Sequence, residues 1–178
     1  MIPRFYEASA GEILVFGKNV RTYAKDALLD PIGIVLQPAV LFAGTIRENI
    51  QFAAPQADDE AIRQALRVAQ AEDIVIGKEG GLDALVEQNG QNFSGGQRQR
   101  LTIARALVKK PAILLLDDAG SALDAATDLR LRKALRAMKG KQTIFIVSQR
   151  IAGVKNADHI LVLQNGRLVG DDRHENLL

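Results

Sequence analysis

The chain contains no cysteine, so neither a disulfide nor a thiolate metal site can form, and a reducing compartment fits. It has only two histidines, His159 and His174. One opens a predicted strand and the other lies near the C-terminus, so they make no metal set. Aromatic residues are 4% of the chain, and Phe5, Tyr6, Phe16, Phe42, Phe93 and Phe145 are scattered rather than arrayed as a base-stacking platform. With a formal charge of only +2, nothing points to nucleic acid as a partner. No apolar run approaches the ~20 residues that cross a bilayer, and the N-terminus has no signal-peptide core. A role at a membrane would need another segment or chain to hold this one there. What remains is ordinary globular material: 178 residues, 47% hydrophobic and 25% charged, enough for one domain or one incomplete larger domain.

The stretch that organises the rest is Asn92-Phe93-Ser94-Gly95-Gly96-Gln97-Arg98-Gln99-Arg100, followed by the helical pattern Leu101 to Val108. Ser94 is the predicted N-cap, and the glycines form an exposed first turn. Free N–H groups and the positive end of the helix dipole there make an anion site, and glycine lets the backbone approach a phosphate closely. Taken alone, Ser-Gly-Gly is equally a plain capped helix. Pro111 follows, then the apolar run Ala112 to Leu116, the carboxylates Asp117 and Asp118, and Ser121-Ala122-Leu123-Asp124. Asp117 by itself could simply cap a turn.

Around this centre the pattern predicts strands over Gly11–Gly17, Ile32–Leu36 and Thr143–Val147, the last ending at Ser148-Gln149-Arg150. Helices are predicted over Ala24–Asp30, Asp58–Ala71 and Ala125–Met138, the last closed by Gly140. Residues 77–90 read as a loop, and Asn165-Gly166 as the turn of a hairpin spanning His159–Val169. Short buried strands alternating with helices give an α/β protein with a mainly parallel sheet. Gln37 ends a strand, where α/β proteins commonly place ligand contacts, although a glutamine before proline can also be merely solvated.

The order and spacing over Asn92–Arg105 and Ile113–Asp124 resemble the nucleotide-binding domain of ATP-binding cassette transporters, in particular their exporter branch. The corresponding parts are the signature motif, the Walker B strand and the D-loop. The resemblance runs from Ile2 to Leu178. It implies a P-loop NTPase-like cassette with a helical subdomain over about 39–110, the C-terminal part of the core over 111–178, and the N-terminal part of the core missing. It implies ATP and Mg²⁺ as cofactors. Asp117 and Gln37 would serve the metal, Gln37 also the attacking water. Asn92, Ser94, Gly95, Gly96, Gln97 and Asp124 would contact nucleotide. Residues 37–50 and Glu87 would face a transmembrane domain, on the cytoplasmic face of the cell membrane, although Glu87 alone is just a surface glutamate.

Two positions depart from the family pattern. Asp118 stands where a glutamate usually polarises the attacking water; its carboxylate is one methylene shorter, and a shift of about 1 Å can cost ~100-fold in rate. Gln149 stands where the switch loop usually has histidine, and glutamine carries neither proton nor charge. Both fall on one nucleotide site, beside an intact Ser94–Gln97. This resembles heterodimeric exporters, in which two cassettes pair head to tail and one composite site is degenerate. The larger absence is the phosphate-binding loop: no G-x-x-x-x-G-K-[ST] occurs, and Gly17-Lys18-Asn19 lacks the preceding glycine and the hydroxyl. The adenine-stacking aromatic of the family is missing too. Met1 is therefore expected to be an internal methionine of a longer half-transporter, and Met1–Tyr6 the end of the helix after that loop. Alone, the chain is expected to be inactive and to expose apolar edges beside Ile113–Leu116. Two other functions are a soluble cassette ATPase of DNA repair or translation, and a truncated fragment without activity. Gly44–Ile50 and the ending Gly170–Leu178 favour the exporter. The transported substrate is not written in these residues.

Overall fold

The computed structural model describes residues 1–138, 140 and 142–177; Leu178, last of the exporter-like ending, lies outside them. Residues 1–13 form turns, tied by the Arg4–Glu7 ion pair at 2.9 Å. The helix end expected over Met1–Tyr6 is a set of turns, with Arg4 at a φ of +59° that a right-handed helix does not accept. The strand expected over Gly11–Gly17 shortens to β1 (Leu14–Val15), which turns at Phe16-Gly17 into β2 (Lys18–Asn19). Helix α1 (Lys25–Leu29) stops before Pro31, and β3 (Ile32–Val35) follows.

The middle of the chain is helical. After β4 (Gly44–Thr45), Thr45 and Glu48 form a reciprocal capping box that starts α2 (Ile46–Gln51). Asp58 caps α3 (Asp59–Val68), and a separate α4 (Glu72–Ile76) follows where one helix to Ala71 was expected. The break is at Gln70, whose φ of +57° is incompatible with continuing α3. Strand β5 (Leu85–Val86) pairs back on β4, and α5 (Gly95–Val108) runs under the whole assembly. Nearly every residue from Leu101 to Val108 is buried. Arg105 is the exception in chemistry. Its guanidinium donates to the Val40 and Asn49 carbonyls at 3.0 and 2.8 Å and to Asn49 Oδ1 at 2.6 Å, and it lies 4.7 Å from the Phe42 ring centre. Burial lowers its pKa to about 10, and every one of these partners is neutral.

The second half supplies β6 (Ile113–Asp117), α6 (Ala125–Arg136), β7 (Thr143–Val147), α7 (Ile151–Val154), β8 (Ile160–Gln164) and β9 (Arg167–Asp172). The β8–β9 turn is Asn165-Gly166, with φ of +49° and +76°, as a type I′ hairpin needs. The core sheet is parallel, in the order β3-β6-β7, with Val35 opposite Leu116 and Asp117 opposite Val147. The expected α/β class with a parallel core therefore stands. One buried cluster runs from the helices (Ile50, Ile62, Leu66, Ile103) into the sheet (Val35, Leu114, Leu116).

The apolar edge expected beside Ile113–Leu116 lies on β7, the strand paired to β6. Ile113, Leu114 and Leu116 of the central strand β6 are themselves buried, packed into the two apolar clusters. The open edge is β7, where Phe145, Ile146 and Val147 are exposed, and Leu161, Leu163, Leu168 and Val169 of β8–β9 are exposed as well. Pairing order rather than hydrophobicity decides which strand lies at the edge.

Two outcomes follow from this packing. Leu114→Ala should cost about 2–5 kcal/mol of stability in urea denaturation, by opening a cavity in the central strand. Val147→Lys should reduce concentration-dependent association in sedimentation velocity while leaving far-UV circular dichroism unchanged, since a lysine on an open strand edge opposes pairing.

Candidate functional site

A parallel sheet delivers its strand ends to one edge, and four of the anticipated residues arrive there together. Gln37 lies two positions beyond β3, Asp117 is the last residue of β6 with Asp118 next, and Gln149 lies two positions beyond β7. This carboxyl edge is where open α/β sheets bind ligands. Asp118 has a φ of +46°, a left-handed conformation that aspartate tolerates better than most side chains. Its N–H donates to the Val147 carbonyl at 2.9 Å, so the chain leaving β6 is fastened to the end of β7. Its own carbonyl accepts from the Ser121 N–H at 3.0 Å and from Ser121 Oγ at 2.8 Å. Gln37 donates from Nε2 to that same Ser121 Oγ, which leaves the amide oxygen as the free end. Gln149 is exposed, in a loop where the Ser148 hydroxyl accepts from the Arg150 N–H at 3.0 Å. Arg150 in turn donates to the Ser121 carbonyl at 3.4 Å.

The second part is the start of α5. Ser94 is the N-cap as expected, its hydroxyl accepting from the Gln97 N–H at 3.2 Å. Gln97 returns the bond, its Oε1 accepting from the Ser94 N–H at 2.9 Å. The Gln97 side chain is thus held in the cap, and the S-x-x-Q spacing was the signal for it. Gly96 is needed for packing: a Cβ there would stand 3.1 Å from the Ala122 carbonyl oxygen. The loop after Asp118 therefore runs against the first turn of α5. Gly95, Arg98 and Gln99 of that helix, with Gln37, Pro38, Ala39 and Ala122, line an open cleft of about 410 Å³. Gln99 is 1% exposed, and its Nε2 has no hydrogen-bond partner among the described residues. Neither Gln99 nor Arg98 was anticipated; their i, i+3 and i, i+4 relation to Gly95 was the available hint.

Two anticipated nucleotide contacts have local employment. Asn92 accepts from the Glu87 N–H at 3.1 Å and donates to the Leu85 carbonyl at 2.8 Å, so its amide holds the loop carrying the exposed Glu87. Asp124 caps α6 by accepting from the Thr127 N–H at 2.9 Å. That backbone hydrogen bond, helped by the Thr127 hydroxyl, holds its carboxyl below the usual aspartate range.

The donor set suits a hard divalent cation that keeps most of its waters: the Asp117 carboxylate at the strand tip and the outward amide oxygen of Gln37. Among the described residues no group of three or more His, Cys, Asp or Glu side chains could hold a metal. Asp117 and Gln37 would thus supply at most two ligands to such an ion. For the α- and β-phosphates of a nucleotide the chain offers no glycine-rich loop and lysine. The fit to a whole nucleoside triphosphate is partial.

A family model described as ABC transporter matches residues 1–121. The whole chain aligns at 44% identity with 31% of an uncharacterised ABC transporter ATP-binding protein of Mycobacterium tuberculosis. It aligns at 40% identity with 30% of an ATP-dependent lipid A-core flippase of Syntrophus aciditrophicus. The solved structure of a bacterial Atm1-family ABC exporter with ATP bound superposes with a TM-score of 0.94 at 35% identity, covering 99% of this chain and 31% of that one. The chain spans about a third of the length of the curated relatives it matches.

Ser94→Ala should lower stability by about 1 kcal/mol in urea denaturation, with Ser94→Asp restoring most of the loss. Because folding depresses the Asp124 pKa, its charged-state contribution is complete above the unfolded value of about 4 and lost as pH falls through the folded one. The stability difference between the parent and Asp124→Asn should accordingly shrink as urea titrations are taken from pH 6 towards pH 2.

Proposed function

The chain belongs to the ABC transporter family, and from that premise we propose that it is the ATP-binding part of an exporter that couples ATP to movement of a substrate across a membrane. The observation that carries this reading is the meeting of Gln37, Asp117, Asp118 and Gln149 at one sheet edge, with the Ser94 helix start packed beside it. In this reading residues 39–110 are the helical subdomain and 111–178 the C-terminal part of the core. Bound ATP with Mg²⁺ supplies the phosphoanhydride and neutralises charge on the transferring phosphoryl group. Asp117 would hold the magnesium, and the Gln37 amide oxygen would serve the metal or the attacking water.

Asp118 is the residue placed to polarise that water, and here its reach is short by one methylene. Gln149 can hydrogen-bond a γ-phosphate but adds no charge. The site on this chain is therefore read as one that retains ATP and hydrolyses it poorly. The Gly95 and Gly96 N–H groups and the helix dipole are offered to a phosphate, and serve the site of a second cassette paired head to tail. Such a pair is asymmetric, a heterodimer with one regulatory and one competent site. Residues 37–50 and the Glu87 loop face a transmembrane domain, which places the chain at the cytoplasmic face of a membrane. Among the described residues no helix is long and apolar enough to cross it.

Two measurements test the reading. By calorimetry this 178-residue chain should show no Mg-ATP binding in the micromolar range, since nothing in it cradles the α- and β-phosphates; a micromolar dissociation constant refutes that. In the assembled transporter, Asp118→Glu combined with Gln149→His should raise turnover at this site by about 10–100-fold. A double variant that hydrolyses ATP no faster than the parent removes the asymmetry from the proposal.

A further inference from the structure

We propose that Ser121 is a positioning residue that decides which end of the Gln37 amide faces the nucleotide site. The inference rests on the reading of Gln37 and Asp118 given above and adds a residue to it.

The argument is one of donors and acceptors. A serine hydroxyl has one O–H to give and lone pairs to receive with. Ser121 Oγ lies 2.8 Å from the Asp118 carbonyl, which can only accept, so the O–H is spent there. Toward Gln37 the same oxygen can therefore only accept. It receives Nε2, and the amide oxygen is turned outward. Were the amide reversed, its oxygen would face an oxygen with no proton left to offer, and a polar contact would become a repulsion. The outward group would then be an NH₂, which cannot ligate a cation. A single hydroxyl thus converts a symmetric-looking side chain into an oriented acceptor.

The residue is also tied to all three strand ends. Beyond Gln37 after β3 and Asp118 after β6, its carbonyl receives the Arg150 guanidinium at 3.4 Å, next to Gln149 after β7. A serine needed only to close the turn would require none of this. The turn already has the bond from the Ser121 N–H to the Asp118 carbonyl at 3.0 Å, which an alanine would keep. Ser121→Ala should therefore fold normally and lose only the orientation.

The test has two arms. In the 178-residue chain, exchange of the Gln37 side-chain amide protons is followed by NMR in the parent, Ser121→Ala and Ser121→Thr. The expected result is about tenfold faster exchange in Ser121→Ala, as one hydrogen bond is lost, and recovery in Ser121→Thr, which keeps the hydroxyl. In the assembled transporter, the magnesium concentration for half-maximal ATP retention should rise about tenfold in Ser121→Ala, with ATP affinity in excess chelator unchanged. Unaltered Gln37 exchange in Ser121→Ala overturns the inference whatever the nucleotide does. Altered exchange with an unaltered magnesium dependence overturns it too. Failure of the underlying reading has its own signature: Gln37→Ala leaves the magnesium dependence at the parental value, and the inference falls with it.

Discussion

Parallel pairing of β6 between β3 and β7 is the constraint on which the rest depends. It buries Ile113, Leu114 and Leu116, and it fixes the register in which Asp117 stands opposite Val147. Because all three strands run the same way, the residues that follow them share one edge. The bond from the Asp118 N–H to the Val147 carbonyl then carries the pairing one residue beyond the strand itself. Had one strand run antiparallel, Gln37, Asp118 and Gln149 could not have met, whatever their chemistry.

The same arrangement explains why the helix start and the carboxylates form one site and not two. Gly96 admits the Ala122 carbonyl at a distance a side chain would contest, so the segment after Asp118 lies against α5. Ser121 sits inside that segment. Local backbone geometry, a missing Cβ and one hydroxyl together join elements separated by about 80 residues of chain.

Much of this was legible in the sequence where physics acts locally. Apolar runs bounded by glycine or proline gave β3, β6 and β7 to within a residue, and Asn165-Gly166 gave its turn. Ser94 as a cap was readable because a hydroxyl before a helix has few other uses. What escaped depends on distant partners. The two-residue strands β4 and β5 exist only because they pair with each other, and no periodicity announces them. Strand order is set by packing, so the open edge fell on β7, the neighbour of the leucines of β6. The hold of the Asn92 amide on Leu85 and Glu87 likewise had no signal in the sequence. Ser121 looked like one letter of a motif, and its bonds to Gln37 and Asp118 appear only once the chain is folded.

Helix α5 has one further property. It is an unbroken rod of about 21 Å at the usual rise of 1.5 Å per residue. At one end its capping box ties up the Ser94 and Gln97 N–H groups and leaves those of Gly95 and Gly96; along its length Arg105 grips the Val40 and Asn49 carbonyls and lies over Phe42. A helix is stiff in bending, and moving Arg105 off its seat would break its three hydrogen bonds to Val40 and Asn49. Displacement of the Phe42 surface by a neighbour would therefore be felt at Ser94 as a rigid tilt with little local yielding. The fold contains a strut, and its two ends are the places where a partner and a phosphate would each push.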